Sequence, residues 1–242
     1  MGTVTDAVRP LHPGAYLQCA SWIVETSDGI LLIDPGSGCE DTRLVANLDA
    51  LGHAPGDVTH VLITHCHCDH AMGATFWQRA GAILVASQPC AAALAEAHRF
   101  IWGEHPELIR PITVDRPFDD GDAFTVGGLT VTALSTPGHT PGGATYLVDG
   151  PGERGAFTGD LLMHDGGPGW AGEGQYDPEA LLQSLDRLAA CGIRRAWPGH
   201  GQPIDEVAAW LQVGRDRGRS GDWHPTRAWQ TMEVPPALRH PA

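Results

Sequence analysis

Val58-Thr59-His60-Val61-Leu62-Ile63-Thr64-His65-Cys66-His67-Cys68-Asp69-His70 is the stretch around which this chain is organised. Val58 to Thr64 has the β-branched, apolar character of a buried strand. The strand gives way at once to three imidazoles and a carboxylate. Neutral imidazole nitrogen and carboxylate oxygen are ligands that zinc, iron and manganese accept. Alternate residues of an extended segment point the same way, so His65 and His67 can grip one ion together. Asp69 and His70 lie where the loop turns into the next helix and can face a second ion. The two thiols between them point away from the His65/His67 face. Cys66 and Cys68 are therefore expected to pack rather than to ligate.

Length and charge narrow the context. A chain of 242 residues with 42% hydrophobic and 18% charged residues can bury a full core. A net charge of −14 argues against a nucleic-acid surface, because phosphate binding needs clustered positive charge. All 15 basic residues are Arg. Residues Met1 to Pro10 contain no apolar core of signal-peptide length, and no apolar run is long enough to span a membrane. Cysteines 19, 39, 66, 68, 90 and 191 are scattered without a disulfide framework. The expectation is a cytoplasmic protein with reduced thiols and no membrane partner.

Along the chain, Tyr16 to Thr26 and Gly29 to Asp34 flank the turn signal Ser27-Asp28-Gly29 and predict a β-hairpin. Asp34, before Pro35-Gly36, is either a turn residue or a carboxylate supporting the histidines. Asp41 to Leu51 has helical apolar spacing. A helix is expected over Ala71 to Ala80, a strand over Ala82 to Ala86, and a helix over Gln88 to His98. Phe118 to Val126 and Leu129 to Leu134 read as a strand pair. Ala144 to Val148 and Gly155 to Thr158 are strands. Asp177-Pro178 opens a helix, with Asp as cap and Pro at its first position. Arg194 to Trp197 is the last strand, and a short helix follows over Asp205 to Val213. One domain over 1–213 is expected, with 214–242 an irregular C-terminal tail packed on it.

Three further residues share the setting of the first motif. His139, Asp160 and His200 each follow a strand, beside glycine, in a loop. Each alone is weak, since a loop His is usually a solvated residue and Gly-Asp usually a turn. Four such loops on one rim of a sheet would converge without costly ordering.

Together these residues resemble the metallo-β-lactamase-fold superfamily. The matching segments are His65-Cys66-His67-Cys68-Asp69-His70, Gly138-His139-Thr140-Pro141-Gly142, Thr158-Gly159-Asp160 and Pro198-Gly199-His200-Gly201. The resemblance implies an α/β protein, an αββα four-layer sandwich with metals at one edge. It also implies roles: His65, His67 and His139 on a first ion, Asp69, His70 and His200 on a second, and Asp160 bridging. Two divalent metal ions follow, Zn2+ first, with Fe or Mn accepted by the same ligands. No Cys stands at a ligand position, a departure from the Cys-bearing zinc β-lactamases that disfavours antibiotic hydrolysis.

The implied chemistry is a binuclear metallohydrolase of thioesterase or lactonase type. A hydroxide bridging two metals would attack a thioester, lactone or ester carbonyl, with Asp69 as the catalytic residue that orients it. The segments around His139 and Asp160 resemble glyoxalase II and its relatives. The Gly-Cys-Gly-Arg segment of glyoxalase II is absent, and no Lys exists to hold a glutathione carboxylate. A small-molecule or carrier-bound acyl substrate is the broader expectation. His164, just beyond Asp160, and Tyr176 are candidate substrate-binding residues, on a faint similarity to lactonases. Trp102, Trp170 and Trp223 are candidate pocket walls. Two other classes share the ligand set. One is a non-hydrolytic cyclase or dehydratase of a polyketide-type substrate. The other is a mononuclear iron sulfur dioxygenase using His65, His139 and Asp160.

Overall fold

The computed structural model describes residues 3–15, 18–39, 41–97, 109–150, 152–163, 166–169 and 176–221. Among them two sheets form. In the first, β1 (Val8–Ala15), β2 (Gln18–Thr26), β3 (Gly29–Ile33), β4 (Val58–Leu62), β5 (Ile83–Ser87) and β6 (Arg116–Phe118) lie side by side in chain order. The first three strands pair antiparallel and the rest parallel. Parallel neighbours need crossovers, usually helical. Helix α2 (Asp41–Ala50) connects β3 to β4. The short α3 (Cys68–Ala71) and α4 (Ala74–Arg79) connect β4 to β5, and α5 (Gln88–Ala95) follows β5. A further helix, α1 (Val4–Ala7), precedes β1.

The second sheet runs β11 (Arg195–Pro198), β10 (Glu153–Gly159), β9 (Ala144–Gly150), β8 (Leu129–Ser135), β7 (Ala123–Val126). Strands β7 to β10 are a meander. Strand β11 joins β10 in parallel, after α6 (Pro178–Ala189). Helix α7 (Val207–Ser220) packs against α6.

Period-two alternation sorts the side chains into layers. Leu31 and Ile33 of β3 point between the sheets, where they join Leu62, Val85, Val131, Tyr146, Val148 and Phe157. Ile30 and Leu32 point the other way, onto Leu44 and Leu48 of α2 and Trp77 of α4. On the second sheet Leu134, Leu147 and Ala156 face Leu181, Leu185 and Leu188 of α6 and Leu211 of α7. The result is helix, sheet, sheet, helix, as expected. Fully burying each Leu, Ile or Phe contributes about 1.5–3 kcal/mol. The middle layer contains a polar tie as well: the buried Tyr146 hydroxyl donates to the Ile63 carbonyl across the sheets (2.9 Å). Among the described residues no helix is long and apolar enough to cross a membrane.

Several elements differ from the sequence expectation. Strand β1 has no counterpart there, because Pro10 and Pro13 break the strand signal; both are tolerated because β1 is an edge strand. The run from Phe118 to Val126 is not one strand. Asp122 N donates to Asp119 O (3.0 Å), and this turn sends β6 to the first sheet and β7 to the second. The helix expected over Ala71 to Ala80 is divided at Met72-Gly73, where Gly73 N donates to Gly36 O (2.8 Å). The helix expected to end at Val213 continues to Ser220, so 214–220 is not irregular. Arg215 and Arg219 pair with Asp186 of α6, and Gly221 caps the end in the left-handed conformation. Residues 222–242 lie outside the described residues, as do His164, Trp102, Trp170 and Trp223.

Candidate metal centre

Strands β4, β8, β10 and β11 deliver their following loops to one rim. Hydrogen bonds between the loops hold them there. Ala144 N donates to Thr64 O (2.8 Å), Gly199 N to Gly159 O (2.8 Å), and Ala20 N to Gly199 O (2.6 Å). Each is a tie between strand ends, and the first and third cross from one sheet to the other. Seven side chains converge on this rim: His65 and His67 after β4, Asp69 and His70 on α3, His139 after β8, Asp160 after β10, and His200 after β11. All seven residues proposed from the sequence are thus brought together.

Two groups are distinguishable. His65 Nε2, His67 Nδ1 and His139 Nε2 form a triangle with edges of 3.0, 3.0 and 3.2 Å. His70 Nε2, His200 Nε2 and Asp69 Oδ2 form a second, with edges of 3.3, 3.4 and 3.7 Å. Asp160 lies between them. Its Oδ1 is 3.4 Å from His70 Nε2; its Oδ2 is 3.6 Å from His200 Nε2 and 3.7 Å from His139 Nε2. Glycine makes that position available. A Cβ on Gly199 would lie 2.2 Å from Asp160 Oδ1, and one on Gly169 would lie 2.3 Å from Oδ2.

Hydrogen bonding alone does not satisfy this cluster. Each imidazole nitrogen is either an N–H or a lone pair. Three nitrogens in mutual contact must therefore include two of the same kind, which repel. His139 Nδ1–H donates to Gly169 O (3.1 Å), so its Nε2 faces the triangle as a lone pair. Asp160 Oδ1 is buried with no hydrogen-bond partner among the described residues. A cation with metal–nitrogen bonds of about 2.0–2.1 Å resolves both problems.

The electrostatics point the same way. Burial, then the neighbouring imidazoles, hold His65 and His139 well below the usual histidine range, so both are neutral donors of electron pairs. Burial also opposes charge on His70, yet Asp160, Asp69 and Asp34 push it up to about 10. Burial would raise Asp69, but His70 and His200 hold it well below the usual carboxylate range. The carboxylate half of the cluster demands positive charge, and divalent ions would supply it.

The thiols stay out of the centre. Cys66 and Cys68 are in the helix-side core of the first sheet, and burial pushes both up to about 12. Cys19, Asp34 and His70 also lie within reach of one another. Their contacts are hydrogen bonds: the Cys19 thiol donates to Asp34 O (3.5 Å) and His70 Nδ1 to Asp34 Oδ2 (2.9 Å). Asp34, for which the sequence allows two roles, and Thr64, which it does not single out, are the supporting residues. Tyr176 packs against the outer apolar cluster of the second sheet, where burial raises its phenol above the usual range.

The metallo-beta-lactamase superfamily model matches residues 14–200. The chain belongs to the metallo-β-lactamase superfamily. It is similar to the lactamase-like protein nscB of Aspergillus fumigatus, 30% identical over 205 residues, 83% of this chain and 54% of that protein. It is equally similar to an atrochrysone carboxyl ACP thioesterase of Aspergillus fumigatus, 31% identical over 198 residues, 81% of this chain and 54% of that enzyme. The chain spans about half the length of these curated relatives. A Cronobacter sakazakii metallo-β-lactamase superposes with a TM-score of 0.72 at 22% identity, covering 90% of this chain and 93% of that one. A metallo-β-lactamase family protein from Thermus thermophilus gives 0.71 at 24% identity, covering 89% and 80%. These two structures establish the fold.

Proposed function

We propose that this chain is a metal-dependent hydrolase that cleaves an acyl thioester, the acyl group being presented on a carrier. The observation that carries the proposal is the convergence of seven nitrogen and oxygen donors, among them three imidazole nitrogens whose mutual contacts no arrangement of protons satisfies and an Asp160 oxygen with no hydrogen-bond partner among the described residues. The thioesterase among its relatives supports the choice of bond. His65, His67 and His139 would hold one divalent ion, Asp69, His70 and His200 a second, with Asp160 between. Zinc is the first expectation, and iron or manganese suit the same donors. When bound, two such ions lower the pKa of a shared water and polarise a carbonyl.

The protein's own groups divide the remaining work. Asp69 keeps 13% of its side chain exposed against 6% for Asp160, so it is the carboxylate that solvent reaches. It orients the attacking water and carries its proton towards the departing sulfur. The C–S bond breaks, and the products are a carboxylic acid and a thiol. A thiolate is a good leaving group, so no strong acid is needed beside it. Tyr176 adjoins Asp177, whose N–H donates to Gly138 O (2.9 Å) beside His139. The Tyr176 side chain packs against the outer apolar cluster of the second sheet, so its role as a substrate contact, like that of His164, rests on the similarity to lactonases alone.

The test begins with elemental analysis of purified protein. Acyl thioesters of N-acetylcysteamine are then offered beside lactones and oxygen esters. The expected result is two divalent ions per chain and one thiol released per acid formed. A single iron with oxygen consumption would point to sulfur dioxygenation instead. A dehydrated cyclic product would point to cyclisation, and turnover of lactones alone would reassign the bond.

A further inference from the structure

Asp34 follows β3 with a positive φ of 51° and is 1% exposed. Its side chain accepts three hydrogen bonds. Oδ1 takes the Thr64 backbone N–H (2.7 Å), and Oδ2 takes the Thr64 hydroxyl (2.7 Å) and His70 Nδ1–H (2.9 Å). A carboxylate has no proton to give. Thr64 therefore commits its only hydroxyl proton to Asp34. Towards His65 Nδ1, 3.1 Å away, the same oxygen can offer only a lone pair. His65 must then carry its proton on Nδ1, and its Nε2 is bare where it meets His67 and His139. His70 is ordered by the same carboxylate oxygen without an intermediary.

We infer that Asp34 and Thr64 are positioning residues that fix the tautomers of His65 and His70, one in each half of the cluster, so that both present bare Nε2 atoms to the metal position. The functional meaning of this device rests on the proposed metal centre, as does the bare Nε2 of His70, which a cation must free of its proton; the tautomer of His65 does not. His139 is ordered separately, by Gly169 O. The hydrogen bonds that orient ligating histidines commonly govern metal affinity by about 10–100-fold.

The decisive variant is Asp34→Asn, which keeps the shape and inverts one end of the group. Its amide oxygen can still accept from Thr64 N. Its NH2 then occupies the place of Oδ2 and donates to Thr64 Oγ1 and His70 Nδ1. Thr64 must turn its proton onto His65 Nδ1. Both imidazoles are driven to carry hydrogen on Nε2, where an ion would sit.

Long-range 1H–15N spectra of the metal-free protein near pH 8 read the tautomer of neutral His65 directly. Wild type and Thr64→Ser are expected to show Nδ1–H, and Asp34→Asn to show Nε2–H. Cobalt titration followed by visible absorption gives the second readout. Thr64→Val should weaken binding about 10-fold, Thr64→Ser should restore it, and Asp34→Asn should lose about 100-fold. His65 carrying Nε2–H in the wild type, or an unchanged tautomer in folded Asp34→Asn, overturns the inference. If Asp34→Asn does not fold, the Thr64 pair decides: cobalt bound by Thr64→Val as tightly as by wild type overturns it. The expected wild-type tautomer in a protein that binds no divalent ion would sink the metal proposal and leave the tautomer assignment standing.

Discussion

Asp160 touches both halves of the cluster, and its removal should be felt by both. Oδ1 reaches His70 while Oδ2 reaches His139 and His200. Asp160→Ala is expected to lower metal content and abolish turnover, by more than the roughly 10–100-fold typical of losing an outer hydrogen-bond partner. Elemental analysis beside a thiol-release assay checks this; two ions and full turnover would remove Asp160 from its bridging position. Cys66 gives the opposite expectation. Its thiol is 3% exposed, sits in the apolar core and is pushed up to about 12, so it offers no thiolate. Cys66→Ser should cost stability on the order of 1 kcal/mol and leave metal content unchanged. An ion lost from that variant would make the thiol a ligand. The seven candidate donors were legible in the sequence because five stand in loops that follow apolar strands and the other two, Asp69 and His70, on the short helix that the first of these loops enters, a setting that local pattern reveals. For Asp34 the sequence left two roles open, and Thr64 it did not single out, because the part both play depends on β3 and β4 lying side by side.

At the level of elements, helix α6 clamps the loop that carries His139. Ser184 Oγ donates to Pro137 O (2.7 Å), and Asp177 N donates to Gly138 O (2.9 Å). Gly138 has a φ of +134°, and a Cβ there would lie 2.4 Å from Leu181 Cα. Both the conformation and the contact require glycine. Gly138→Ala should therefore destabilise the fold by about 1–3 kcal/mol or more and displace His139. Denaturant unfolding with metal counting tests this, and wild-type values for both would show that the clamp is slack. Helix α6 itself was legible, since Asp177 caps it through Glu179 N and Ala180 N and Pro178 begins it. So was the hairpin of β2 and β3, from its turn residues. Strand β1 was hidden by its prolines. The division of Phe118 to Val126 was hidden for a different reason. Local pattern reports that a strand exists, and only tertiary pairing assigns it to a sheet.

For the whole molecule, the question is how far the proposed ions hold the sandwich together. The centre lies where loops from both sheets meet, so an ion there would stabilise the folded state by mass action. That linkage gives about 2.7 kcal/mol at a free ion concentration 100-fold above Kd and about 4.1 kcal/mol at 1,000-fold. For a domain of this size each kcal/mol moves Tm by about 2–4 °C. Chelation should then lower Tm by roughly 5–16 °C. It should not unfold the protein at 25 °C. The layer between the sheets is closed by Leu31, Ile33, Tyr146, Val148 and Phe157, and the Ile63–Tyr146 tie belongs to the same layer. None of these depends on an ion, in contrast to small zinc domains that unfold without their metal. Calorimetry with and without chelator, followed by readdition of zinc, measures the shift. Far-UV circular dichroism at 25 °C should be unchanged throughout. Collapse of the dichroism on chelation would make the centre structural, and an unmoved Tm after verified metal loss would mean that the rim is held by the inter-loop hydrogen bonds alone.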